Sequence, residues 1–270
     1  MTTTPVRPRV AWPEVVARAA AIVAGYDSGV TLRQLFYRLV ADGTLTNTDT
    51  SYKTLSARTA EARRRGEFPD LLDRGRRIHR DATFTGPRDA RSWLRAIYRR
   101  DRTEGQPYSL YLGVEKAGMV EQLAAWYGER GLPILALGGY GSQSYVDAVI
   151  ADVDRDGRPA VLLYAGDFDP SGEDIDRDFT ARTGCWDRVV RIALTADQVE
   201  SYRLPEHPGK AADSRAGAFI AAHGRLVQVE LDALDPDDLR GLYDAALDGY
   251  WDESAYQRSL ADEAEDRAVL

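Results

Sequence analysis

From Ser109 onward, short apolar runs alternate with helix-like stretches, and this alternation restricts the possible fold more than any other feature of the chain. Leu110 to Val114, Pro133 to Leu137, Ala160 to Ala165 and Arg188 to Ala193 read as strands, with Ala117 to Glu129, Ser144 to Val153 and Gly172 to Ala181 as the helices between them. Strands that alternate with helices in this way imply a parallel sheet with right-handed crossovers. Ligand sites in such sheets lie just beyond the carboxyl ends of the strands. The residues that follow each strand are therefore the first place to look for chemistry.

The third predicted strand stops at Gly166 and delivers Asp167 and Asp169, which share one side of an extended chain because strand side chains alternate. Glu115 stands at the end of the first strand, so three carboxylates can converge. Acidic groups held close together repel unless a positive charge lies between them, and the natural occupant is a hard divalent cation such as Mg²⁺, with Mn²⁺ as an alternative. The spacing Asp167-x-Asp169-x-Ser171-Gly172 with Asp178 at the twelfth place also resembles an EF-hand loop, but such a loop is entered from a helix, whereas Val161 to Tyr164 reads as a buried strand. The turn Gly138 to Ser142 matches neither the phosphate-loop nor the dinucleotide fingerprint, so no nucleotide cofactor is expected. Glu230 and Asp232, at and just beyond the end of a predicted strand Leu226 to Leu231, form a second acidic pair that could be an outer-shell metal or DNA-facing site, though a half-exposed edge strand explains it equally well.

Charge divides the chain. Residues 1–110 hold 20 Lys and Arg against 12 Asp and Glu, while the remainder holds 15 against 31, so an overall net charge of −8 conceals a basic half. Such asymmetry is expected of a chain with one part that approaches a polyanion and another that carries acidic metal ligands. Within the basic half, Trp12 to Ala24 reads as a helix. A second follows Thr31, with an apolar stripe of Leu32, Leu35, Phe36, Leu39 and Val40. Tyr37 falls on the opposite, polar side of that helix, with Arg33 one turn behind it. A third helix, Ser51 to Arg65, carries Lys53, Arg58, Arg63, Arg64 and Arg65. Three short helices with a basic last member suggest a helix-turn-helix or winged-helix unit that contacts DNA, with Arg74, Arg76, Arg77 and Arg80 tracking phosphates from a wing or loop. A domain boundary is expected near residue 103, giving an N-terminal DNA-binding domain over 1–103 and a sheet domain over 104–270. A single cysteine, Cys185, excludes an internal disulfide, and the opening MTTTPVRPRVAW lacks the apolar run of a signal peptide, so a cytoplasmic location is expected.

Taken in order, VEKAGMVEQL, GGYGSQS and GDFDPSG resemble the Toprim domain of topoisomerases, primases and related nucleases, and TLRQLFYRLV with the basic helix after it resembles the tyrosine-bearing winged-helix domain of the type IIB topoisomerase A subunit. The meiotic double-strand-break protein and compact phage or mobile-element versions share that architecture. The resemblance runs from about Val30 to Leu234 and implies an α/β chain, a winged helix followed by a Rossmann-like Toprim sheet. It further implies that Tyr37 attacks a DNA phosphodiester, that Glu115 moves protons and binds metal, and that Asp167 and Asp169 hold Mg²⁺; a phenol with an ordinary pKa near 10 needs activation, for which Arg33 and a metal could serve. A homodimer is implied, because in the relatives the tyrosine of one subunit meets the metal of the other. The chain contains no ATPase domain, so strand passage would require a separate ATPase subunit. The rival expectations are a Toprim nuclease that uses water, as in mobile-element or plasmid-defence systems, and a non-catalytic DNA-binding protein.

Overall fold

The computed structural model describes residues 10–26, 29–72, 81–139, 141–209 and 212–270. The chain divides into two compact units, Met1–Asp73 with Asp232–Pro236, and Arg74–Leu231 with Asp237–Leu270. Among the described residues, no helix is long and apolar enough to cross a membrane.

The first unit is built on α1 (Trp12–Ala24), α2 (Leu32–Ala41) and α3 (Asp49–Arg64). Pro13 sits in the first turn of α1, where its missing N–H is no loss. Thr31 and Gln34 form a reciprocal capping box at the start of α2, and Thr48 caps α3. The three helices pack pairwise, with Val15, Ala19, Leu35, Leu39, Leu55 and Ala62 buried. The segment Asp232–Pro236 joins this unit through Asp235, which accepts from Arg38 at 3.0 Å and from the Tyr26 hydroxyl at 2.6 Å. Leu72 makes a parallel bridge with Thr31; the basic cluster Arg74, Arg76, Arg77 and Arg80, expected to form a wing, lies outside the described residues.

Tyr37 departs from its expected position. It is only 5 % exposed, with its ring 5.6 Å from that of Phe36. Gln34 and Tyr37 are buried together with Leu35, Phe36 and Leu39, so the buried arc of α2 is wider than its apolar stripe.

The second unit begins with α4 (Pro87–Ile97), which buries none of its residues. It continues through β1 (Ser109–Val114), α5 (Val120–Tyr127), β2 (Ile134–Ala136), α6 (Gln143–Asp156), β3 (Ala160–Ala165), α7 (Pro170–Thr183) and β4 (Arg188–Ala193). All four strands are parallel, in the order β2-β1-β3-β4, as the alternation of strand and helix predicts. Both central strands are buried along their whole length, which explains their near-continuous apolar sequences. Tyr111, Leu162 and Tyr164 pack on one face against Val146, Val149 and Val153 of α6 and Ile175 and Phe179 of α7. Gly113 makes room on this face, since a Cβ there would stand 2.9 Å from Leu137 and 3.0 Å from Leu162.

The chain then runs through α8 (Ala196–Ser201), β5 (His207–Pro208), α9 (Ala216–His223), β6 (Val227–Gln228), α10 (Pro236–Leu247) and α11 (Glu253–Val269). Tyr243 of α10 donates to the carbonyl of Gly113 at 2.7 Å, tying this helix to the middle of β1. The predicted strand Leu226 to Leu231 is shorter than expected. Only β6 pairs, antiparallel with β5, after which Val229 bridges to Phe168 and residues Leu231–Ala233 form a 3₁₀ turn. Glu230 and Asp232 therefore do not alternate along one strand.

Candidate metal centre

Register places Val114 beside Ala165, so the residues that follow β1 and β3 leave the sheet at the same edge. Glu115 still belongs to the ladder through its backbone, since its N–H donates to the carbonyl of Ala165 at 2.9 Å. Its side chain folds across the strand ends, where Oε2 accepts from the N–H of Asp167 at 2.7 Å. Asp167 is buried, and its Oδ1 accepts from the N–H of Leu231 at 2.7 Å. Asp169 takes a different role, as the N-cap of α7, with its side chain accepting from the N–H of Gly172 at 2.7 Å. Its charge still reaches Glu115.

The backbone around the pair leaves little freedom. A Cβ on Gly172 would lie 2.2 Å from the Asp167 carbonyl oxygen and 3.2 Å from Glu115 Oε2, while one on Gly138 would lie 2.3 Å from the Glu115 carbonyl oxygen. Glycine at both places lets the loops after β2 and β3 close directly over Glu115. Arg191 fastens the same loop from β4, donating to the Asp167 carbonyl at 2.7 Å and the Gly172 carbonyl at 3.2 Å.

Electrostatics follow from this geometry. Burial, then the neighbouring charge of Asp167 and more weakly that of Asp169, push the Glu115 carboxyl up to about 7. Burial also raises Asp167, against the opposing pull of Lys116 and the hydrogen bond from Leu231. Lys116 stands where positive charge is needed, with Nζ 3.1 Å from Asp167 Oδ1 and 3.0 Å from Glu230 Oε2.

Among the described residues, no three His, Cys, Asp or Glu side chains stand together as a set that could hold a metal ion. The structure thus brings Glu115 and Asp167 together, while Asp169, expected as a third ligand, is engaged in capping α7. The pair still suits Mg²⁺, which keeps several waters and commonly binds through one or two carboxylates plus substrate phosphates. The donors are all oxygen, Glu115 is raised by burial and by the neighbouring charge of Asp167 in spite of Lys116, and the glycine cradle keeps side-chain bulk away from them.

The remaining predicted residues belong to the first unit. Tyr37 is buried, and the Arg33 guanidinium lies 5.7 Å from the centre of the Tyr52 ring. Lys53, Arg58 and Arg64 are exposed on α3, as is Arg65 at its C-terminal cap, and Arg63 is half-buried. Arg65 is paired with Glu61 at 2.8 Å and Glu67 at 2.7 Å, and Arg58 lies 3.8 Å from Glu61. Sequence reasoning missed Lys116 and Arg191. The first is signalled only by its place beside Glu115, and the second by being an arginine within an otherwise largely apolar strand. Neither a scan against models of known protein families nor a comparison with curated proteins returned a match to this chain.

Proposed function

We propose that the chain is a divalent-cation-dependent DNA-cleaving enzyme of the Toprim type, working as a tyrosine transesterase like the A subunit of type IIB topoisomerases. The observation that carries this reading is the pairing of half-buried Glu115 with buried Asp167 at the ends of two adjacent parallel strands, with Glu115 pushed up to about 7. Glu115 and Asp167 would hold Mg²⁺ or Mn²⁺, which when bound offsets negative charge at phosphorus and at the leaving oxygen. A carboxyl that titrates near neutrality suits the proton transfer that accompanies attack. The phenolic oxygen of Tyr37 would bond to phosphorus as the bond from phosphorus to the sugar oxygen breaks. The phenolic proton would pass to a base, a role open to the Glu115 carboxylate, and the freed sugar oxygen would take up a proton to become a hydroxyl. The first unit would act as the winged-helix DNA-binding domain, through Lys53, Arg58, Arg63, Arg64 and Arg65. The active species would be a homodimer, and a separate ATPase subunit would be needed for strand passage.

The burial of Tyr37 favours a second reading, hydrolysis by water in the manner of Toprim nucleases, because a nucleophile that is 5 % exposed must be uncovered before it can reach DNA. One experiment separates the two. The chain is incubated with supercoiled DNA and Mg²⁺ or Mn²⁺, then denatured and assayed for DNA covalently joined to protein. The transesterase yields an adduct that Tyr37→Phe abolishes together with cleavage. Cleavage without adduct, equal in Tyr37→Phe, establishes the nuclease instead. Cleavage that survives both Glu115→Ala and Asp167→Ala would remove the metal centre from either reading.

A further inference from the structure

We propose that Lys116 is a tethered counter-ion for the carboxylate pair, which a divalent cation displaces from Asp167 while Glu230 retains the ammonium. The inference rests on the reading of Glu115 and Asp167 as cation ligands. Lys116 bridges one member of that pair and one carboxylate outside it, at 3.1 and 3.0 Å, and all three side chains are largely withdrawn from solvent, at 19, 8 and 17 % exposure for Lys116, Asp167 and Glu230. An ammonium in contact with a ligand oxygen supplies the charge that the desolvated carboxylates need, and it opposes the arrival of a second cation at the same oxygen. Lysine suits an exchangeable role, since its compact charge rides on a flexible four-carbon stem and needs no fixed fork geometry.

A purely structural role, in which Lys116 holds Asp167 in place for the metal, accounts less well for the surroundings. Asp167 is already fixed by the Leu231 N–H on its carboxylate and by Arg191 on its carbonyl. The two roles predict opposite signs. Removing a positioning residue weakens cation binding, whereas removing a resident competitor strengthens it.

The test uses the full chain, with Mn²⁺ binding followed by calorimetry and thermal unfolding recorded with and without Mg²⁺. Lys116→Met is expected to melt lower than wild type without cation, to bind Mn²⁺ about tenfold or more tightly, and to gain more from Mg²⁺. Lys116→Arg keeps the charge and should bind within about threefold of wild type. Glu230→Gln removes the carboxylate that retains the ammonium and should bind Mn²⁺ severalfold more weakly; unchanged affinity there overturns the proposal even if Lys116→Met does not fold. Mn²⁺ binding by wild type that is equal or weaker in Lys116→Met overturns the counter-ion role and leaves the metal centre standing. If neither wild type nor Lys116→Met binds Mn²⁺, both fall together.

Discussion

Glu115 is the residue at which fold stability and the proposed chemistry oppose each other. Its carboxyl is pushed up to about 7 from an ordinary value near 4.5, chiefly by burial and then by the charge of Asp167. Between those two values the folded chain holds a proton that the unfolded chain has released, so stability falls as pH rises through the interval. The rise at Asp167 acts in the same direction. Glu115→Gln should remove most of this slope, since the amide oxygen can still accept from the Asp167 N–H. Near pH 8 the variant should be more stable than wild type by on the order of 1–3 kcal/mol, and near pH 4.5 the two should converge. Chemical denaturation across that range checks the expectation. Parallel pH profiles for the two proteins would show that Glu115 is ionised in the fold at little expense.

At the scale of elements, α7 is where cap and candidate ligand coincide, and substitutions can separate the two. Asp169→Asn keeps an acceptor for the Gly172 N–H and should leave the melting temperature nearly unchanged, whereas Asp169→Ala should lower stability by about 1 kcal/mol through loss of the cap. If the charge of Asp169 also serves the cation, both variants should bind Mn²⁺ more weakly. If only Asp169→Ala loses affinity, the residue acts through the helix. The strands of this region were legible in the sequence because they are buried apolar runs bounded by turn residues, and Ala160–Ala165 and Arg188–Ala193 have the expected limits. The convergence of Glu115 with Asp167 followed from strand ends alone. Other features left no local trace. α9, Ala216–His223, is apolar on nearly every side and so shows no face, and α10 opens in the acidic stretch Pro236-Asp237-Asp238. One partner of Lys116, Glu230, lies 114 residues further on, which no spacing rule connects. Nor does the stripe of α2 mark Tyr37, since the buried arc extends past the apolar positions to Gln34 and Tyr37.

For the whole molecule, the division of charge is the property with the broadest consequence. Residues 1–110 are net basic and the rest strongly acidic, so an approaching polyanion is drawn to one part of the chain and repelled by the other. The cations of α3 are not equivalent, however. Arg65 is already answered by Glu61 and Glu67, and Arg58 lies near Glu61. Lys53 and Arg64 are exposed and eleven positions apart, about three helical turns, which puts them on one side of the helix. Binding of the full chain to duplex DNA should therefore weaken steeply between about 50 and 200 mM salt, as release of condensed counterions requires. Arg64→Ala should lower affinity at every sequence tested and reduce the slope of log affinity against log salt by about one. Arg65→Ala should do less, because DNA must first compete with two carboxylates for that guanidinium. Equal losses in the two variants would mean that the ion pairs of Arg65 open freely on contact. A salt-independent affinity would move DNA recognition away from α3, and with it the role proposed for the first unit.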